Sequence, residues 1–309
     1  MKLYYHIFKS RIAFAFVGIA IFVGLFILKE DLIVSRLGNE MWNLLHLCAF
    51  FIIWLFLVNL FSFFRPDRLP TIGKIILLTV VASILIEVIQ SYIGRDASIE
   101  DIALNLAGTL LALIVTIYKG QYFKGRSYYI YFIFIVFTIM LVWPGIRIFI
   151  DEIQRREQFP VLADFSKPYE LGRWSSNHAK LSISSTSLGK VLDVTLLPGS
   201  RYSTVTLHTI HEDWEQYREL MIVIVNNENT KLPLVLRIND AAHNNEYSDR
   251  YNKRREVPEG LSTITVKLLD LYNAPKGRRM DLNNIQAISL FAIDLNSTRK
   301  FQIKKIYLR

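Results

Sequence analysis

Glu87-Val-Ile-Gln-Ser-Tyr-Ile-Gly-Arg-Asp-Ala-Ser-Ile-Glu-Asp-Ile-Ala-Leu-Asn-Leu-Ala-Gly108 sets Glu87, Gln90, Arg95, Asp101 and Asn105 into two apolar segments and the short turn that joins them. Ionisable groups at membrane depth are costly, and where they occur they usually mark a site. Outward from this stretch, apolar runs near the ~20 residues needed to cross the hydrocarbon recur at about 11–28, 41–64, 72–93, 101–118 and 128–146. The expectation is a membrane all-α bundle of five transmembrane helices over residues 1–149. Lys2, Lys9 and Arg11 precede a first run too long for a signal-peptide core and without an Ala-x-Ala exit, so it reads as an uncleaved span.

Loop charge sets the expected orientation. With the N-terminus cytoplasmic, the inner segments carry Lys2, Lys9, Arg11, Arg65, Arg68, Lys74, Lys119, Lys124 and Arg126, against Lys29, Arg36 and Arg95 outside. A multi-pass membrane protein with its C-terminal domain outside the cytoplasm is the expectation. The polar residues then share the outer leaflet, because Glu87 and Gln90 close one span, Asp101 and Asn105 open the next, and Asn43 and His46 open an earlier one. Residues three or four apart share a helix face, which groups Glu87 with Gln90 and runs Asp101 through Asn105 to the small Gly108. Arg95 is the natural counter-charge for a Glu87–Arg95–Asp101 network. One reading makes this cluster a tie between helices, with Asp101 as the cap or first-turn acid of its helix. The other makes it a site, with Glu87 or His46 as candidate catalytic acid or base.

His46, then Glu87-x-x-Gln90, the Gly94-Arg95 turn, Ser98, and Asp101-x-x-x-Asn105-x-x-Gly108 resemble the pattern of the VanZ-like family of bacterial membrane proteins over about residues 1–149. Ile93 stands where a proline is common before Gly-Arg, and Ala112 where a second glycine often follows. The family is named for low-level resistance to the glycopeptide teicoplanin. The resemblance implies a bacterial cytoplasmic-membrane protein with a role at the outer face of the envelope, in glycopeptide resistance or envelope maintenance, without assigning a reaction.

Composition agrees with two unlike halves. The chain of 309 residues is 52% hydrophobic with a mean hydropathy of +0.28, too apolar for an ordinary soluble enzyme, and the excess is concentrated before residue 150. Its net charge of +9 is spread over both halves, 15 Lys/Arg against 11 Asp/Glu in 1–157 and 21 against 16 in 158–309, so neither half has the acid-poor basic face of a nucleic-acid binder. Cys48, the single cysteine, lies in an apolar run where burial is expected, and no intramolecular disulfide is possible.

After Pro144-Gly145 the pattern changes. Ile146, Phe149, Ile150 and Ile153 recur at helical spacing among charges, which predicts an amphipathic stalk over 146–159. From 160 to 309 the period becomes two. Runs at 180–184, 191–197, 202–208, 220–226, 232–239, 263–269, 287–293 and 301–308, separated by Gly, Asn, Pro and Asp, predict an all-β antiparallel sandwich, jelly-roll-like, able to fold alone. Leu-Ala-Asp-Phe-Ser before Gly172-Arg173-Trp174, and the closing Phe-Gln-Ile-Lys-Lys-Ile-Tyr-Leu, resemble a galactose-binding-like jelly roll of the carbohydrate-binding-module type. Lys304 and Lys305 stand where such modules often carry acids, so no metal site is transferred, and none is expected from His208 and His211.

Alternation puts Tyr202, Thr204, Thr206 and His208 on one face of a strand and Arg237 and Asn239 on one face of another. If the two faces coincide they form a polar shelf suited to sugar hydroxyls, with Trp174, Asn177 and His178 as a rim. The alternative is a solvated face with Trp174 in the core. No P-loop, dinucleotide, zinc-protease or nucleophile-elbow motif is present, and no cofactor is implied. The expected partners are membrane lipid and a cell-wall glycan, lipid-linked precursor or glycopeptide, with oligomeric state open. The competing function is a membrane enzyme acting on a lipid-linked or glycan substrate.

Overall fold

The computed structural model describes residues 36–92, 98–120, 127–208 and 212–309. The chain divides between Phe149 and Ile150 into two compact units.

The first unit is helical: α1 (Arg36–Leu60), α2 (Leu69–Tyr92), α3 (Ile99–Gly120) and α4 (Ser127–Gln158), whose last turns belong to the second unit. Pro70 sits in the first turn of α2, where its missing N–H costs nothing. Ser98 caps α3, its Oγ accepting the Asp101 N–H at 3.3 Å, and Glu100 and Asp101 supply first-turn negative charge. Phe50, Trp54, Val58, Ile75, Ile86, Ala112 and Leu113 form a shared core. A Cβ at Gly108 would lie 2.9 Å from the Phe51 nitrogen and closer still to the Leu47 carbonyl oxygen, so α1 and α3 pack backbone to backbone there.

α2 is built inside out. It buries Thr79, Ser83, Glu87 and Gln90 together with Ile75 and Ile86, and exposes Leu77, Val81, Ile84, Leu85, Val88 and Ile89.

The five-span bundle expected from hydropathy is overturned. Among the described residues two helices, Leu69–Tyr92 and Ile99–Tyr118, are long and apolar enough to cross a membrane. The apolar part of α1 is Leu44–Leu60, under the ~20 residues a span needs. The expected fifth span and stalk are one 32-residue helix running through Pro144, and it adds no third. The expected first span at 11–28 lies outside the described residues, as do Gly94, Arg95 and His211. Cys48 is exposed, not buried.

The second unit is an antiparallel β-sandwich of β1 (Val161–Ala163), β2 (Trp174–Asn177), β3 (Ala179–Thr186), β4 (Gly189–Leu196), β5 (Tyr202–His208), β6 (Glu219–Asn226), β7 (Leu232–Asp240), β8 (Tyr251–Val257), β9 (Gly260–Lys267), β10 (Ile285–Ile293) and β11 (Arg299–Leu308), with a one-turn α5 (Leu268–Tyr272). One sheet runs β3-β4-β11-β6-β9, with β1 also on β11, and the other runs β2-β5-β10-β7-β8. Alternate residues meet between them. Leu192, Val194, Leu196, Leu220, Ile222 and Ile224 from one sheet pack against Val205, Leu207, Leu234, Leu236, Ile238 and Leu290 from the other, around a fully buried Trp214.

Beside β2 a buried ion pair closes the unit. Arg173, at 2% exposure, grips Asp151 with Nη2 at 2.8 Å and Nε at 3.1 Å from both carboxylate oxygens, while Arg155 Nη1 meets Glu212 at 2.9 Å. Glu170 is fully buried, and this burial outweighs Arg173 at 3.9 Å and the Asp164 and Phe165 backbone groups, pushing its carboxyl up to about 7. Below about pH 4.5 this group is protonated folded and unfolded alike and costs nothing. Between that value and about 7 the folded chain holds the extra proton, so its contribution to stability falls as pH rises and levels off above. Glu170→Gln is expected to be more stable than the unaltered chain at pH 8, by up to about 3 kcal/mol, and nearly equal at pH 4.5. Urea midpoints at the two pH values check this, and a variant weaker at pH 8 contradicts it.

Candidate functional site

The residues singled out by sequence fall into two clusters, one in each unit.

In the helical unit α1 brings His46, α2 brings Ser83, Glu87 and Gln90, and α3 brings Asp101 and Asn105, all at 6% exposure or less. His46 Nδ1 and Asn105 Oδ1 are 3.2 Å apart, Asn105 Nδ2 donates to Ser83 Oγ at 3.1 Å, and His46 Nε2 lies 3.6 Å from Asp101 Oδ2. With Nδ1–H donating to the amide, Nε2 faces the carboxylate. Glu87 Oε2 accepts the Ser98 N–H at 2.8 Å and so fixes the residue that caps α3. One turn deeper, Thr79 and Thr109 hydroxyls meet at 3.2 Å. Of the six residues expected to cluster, His46, Asp101 and Asn105 are joined by these contacts, Glu87 holds the residue that caps α3, Gln90 is buried on α2, and Arg95 is outside the described residues. Ser83, Thr79 and Thr109 escaped sequence reasoning, although Ser83 precedes Glu87 by four and Thr109 follows Asn105 by four.

In the sandwich, pairing of the five-stranded sheet lines up rows of outward side chains. Ser175, Thr206, Ser289, Arg237 and Asn252 form one row across β2, β5, β10, β7 and β8. Asn177, Thr204, Phe291, Val235 and Arg254 form the next. Tyr202 and Ile293 continue on β5 and β10. The faces carrying Thr206 and Arg237 therefore coincide, with Ser289 between them and its Oγ 2.8 Å from Thr206 Oγ1. All of these side chains but Ser175 line a groove of about 650 Å3, a size that suits a small ligand. Tyr202 packs edge-on to Phe291 at 5.8 Å, and Arg250, Tyr247 and Lys253 complete its lining from the β8 side.

Other expected residues sit elsewhere. Trp174 pairs with core-facing Leu207, packs on the hydrophobic core and lies 5.9 Å from Phe165, so it forms no rim. His208 shares the Thr206 face, one row further on, where Nε2 meets Ser175 Oγ at 2.6 Å and burial lowers its pKa. Asn239 is on the Arg237 face but 5% exposed. Neither is among the groove-lining residues. Asn177 lines the groove, and His178 occupies the following turn at φ 47°. Ser289, Phe291, Arg250 and Asn252 were missed. Alternation within Ala287–Ile293 marks the first two, whereas nothing in the polar run 250–256 announced a strand.

No protein-family model and no curated protein matches the chain. The sandwich is similar to carbohydrate-binding modules among solved structures. The family 11 module from Clostridium thermocellum, solved with a beta-1,3-1,4-mixed-linked tetrasaccharide, is 18% identical over 48% of this chain and 93% of its own, with a TM-score of 0.39. The family 30 module of a Clostridium thermocellum cellulosomal cellulase is 12% identical over 44% and 91%, TM-score 0.36. An exo-beta-agarase is 17% identical over 48% of this chain and 24% of its own, TM-score 0.41. Likenesses this distant leave ligand recognition to be read from the groove itself. Among the described residues no group of three or more His, Cys, Asp or Glu side chains converges as a metal site.

Proposed function

We propose that this chain is a membrane-anchored glycan-binding protein of a bacterial envelope, with the groove of the five-stranded sheet as its binding face. The observation that carries the reading is the groove lining. Tyr202, Tyr247 and Phe291 offer apolar ring surface, and Thr204, Thr206, Ser289, Asn177 and Asn252 offer hydroxyls and amides over a floor of paired strands. Sugar rings present apolar C–H faces and a rim of hydroxyls, so they need both kinds of partner in one concave site. The inverted helix α2, polar inside and apolar outside, supports placing the helical unit in lipid, as does its resemblance to the VanZ-like pattern. Arg65 and Arg68 precede α2, Lys74 lies in its first turns and Lys119 in the last turn of α3, and this charge bias favours the Tyr92 and Ile99 ends on the outer side. An envelope role follows, with glycopeptide resistance as one setting for it.

Two tests apply. On a glycan array the full chain in detergent micelles is expected to give discrete hits that Tyr202→Ala and Arg237→Ala each weaken at least tenfold. An array without hits, or hits indifferent to both changes, leaves the sandwich a spacer. A reporter fused after Gly125 is expected to read cytoplasmic, and an extracytoplasmic reading there refutes this orientation of α2 and α3.

A further inference from the structure

Resting on the glycan reading, we infer that the groove takes an acidic glycan, a polyhydroxylated chain bearing carboxylate or phosphate groups.

The groove lining includes Arg237, Arg250, Lys253 and Arg254 but no aspartate or glutamate. Outside the groove five arginines of this unit are matched to acids: Arg173 to Asp151 at 2.8 Å, Arg155 to Glu212 at 2.9 Å, and Arg278, Arg299 and Arg309 to Asp240, Glu228 and Glu219 at 2.5 Å each. Arg237 and Arg250 have no such acid among the groove-lining residues. Arg237, half-buried in the central row between Ser289 and Asn252, has an Nε without a hydrogen-bond partner. Arg250 likewise has an unbonded Nε, and its guanidinium stacks 5.5 Å over the Tyr247 ring. Burial lowers the Arg237 pKa and the neighbouring positive Arg250 lowers it further, as happens when like charges meet without a counter-ion. Arg254 does face Glu256 at 3.4 Å, but both are well exposed and such pairs bind weakly.

Two cations placed side by side with unused donors are poorly served by a neutral sugar. An anionic group on the ligand supplies both the missing acceptors and the missing charge, and the guanidinium fork fits a carboxylate or a phosphate equally. Arg250, just before edge strand β8, and Asn252 and Arg254 on it set charged and amide contacts along one wall of the groove that Tyr202 and Phe291 also line. Rings hold the sugar, and the basic wall selects its charge.

The test is a binding comparison on the full chain in neutral detergent micelles. The probes are an oligogalacturonate, a glycerol-phosphate oligomer, a neutral gluco-oligosaccharide of similar length and a single-stranded oligonucleotide. At 50 mM NaCl at least one acidic oligomer is expected to bind ten times or more tighter than the neutral one, and which of them does so separates carboxylate from phosphate. That advantage is expected to shrink severalfold at 500 mM NaCl, and to fall at least fivefold in Arg237→Met. Because Arg237 is half-buried, the Arg250→Gln, Arg254→Gln double variant, whose changes lie at the sheet edge, is measured beside it with the same expectation. Equal binding of acidic and neutral oligomers overturns the acidic assignment while leaving the glycan reading in place. Failure of every oligosaccharide overturns both. Acidic binding indifferent to both variants moves the site elsewhere, and an oligonucleotide bound as tightly as the best oligosaccharide makes the groove a general polyanion site, so either result overturns the inference.

Discussion

Arg173→Ala is expected to lower the stability of the sandwich unit by about 3–5 kcal/mol, the cost of removing one partner from a buried ion pair. The pair is deep, with side chains 1% and 4% exposed, and its geometry is three-pronged. Without the guanidinium, Asp151 and the fully buried Glu170 lose the cation they share, and their burial becomes a net cost. For a unit of this size the loss corresponds to about 10 °C in Tm. Arg173→Lys is expected to fall between, because an ammonium keeps the charge and loses the fork. A Tm change under about 2 °C for the Ala variant is incompatible with this pair holding the last turns of α4 to the sandwich unit. The denaturant slope is expected to stay constant, since the change acts on stability and not on the surface exposed by unfolding.

The second large effect is at Gly108. Any side chain there meets backbone atoms of Leu47 and Phe51, and backbone yields less readily than a rotamer. Gly108→Leu is expected to separate α1 from α3 and take apart the His46–Asn105–Ser83 chain, giving a protein that aggregates on extraction, while Gly108→Ala costs about 3 kcal/mol. Gly73 in α2 is the matched control. A Cβ there meets nothing within 4 Å, so Gly73→Ala is expected to be neutral or to gain about 0.5–1 kcal/mol from helix propensity. Size-exclusion profiles and melting curves in micelles separate the two, and equal behaviour of Gly108→Ala and Gly73→Ala contradicts close α1–α3 packing.

What was legible in the chain follows from periodicity. The sandwich strands with one apolar face announced themselves, because burying alternate residues leaves a period of two in the sequence. β8, Tyr-Asn-Lys-Arg-Arg-Glu-Val, did not, since an edge strand carries charge to discourage pairing with other chains and so reads as loop. Short, polar β2 is an edge of the same kind. With β8 unseen, Arg250, Asn252 and Arg254 were invisible as a wall, although Tyr202, Thr206 and Arg237 had been found. Trp174 went the other way. Its place depends on the phase of β2, and four residues are too few to fix which face is inward. In the helical unit the polar set was readable because such residues are rare in apolar runs. The number of spans was not, because hydropathy measures apolar length and cannot tell one helix passing through Pro144 from a span followed by a stalk.

The central claim is that the groove over Thr206, Ser289 and Arg237 is where glycan binds. The most direct measurement is amide and methyl chemical-shift mapping of residues 150–309 titrated with the strongest oligosaccharide from the array. Saturable shifts are expected at Thr204, Thr206, Val235, Arg237, Asn252, Ser289 and Phe291, with the outward residues of β3, β4 and β9 on the opposite sheet unmoved. Shifts confined to that opposite sheet or to the loops, with the groove residues unchanged at saturation, would place the glycan elsewhere and contradict the claim.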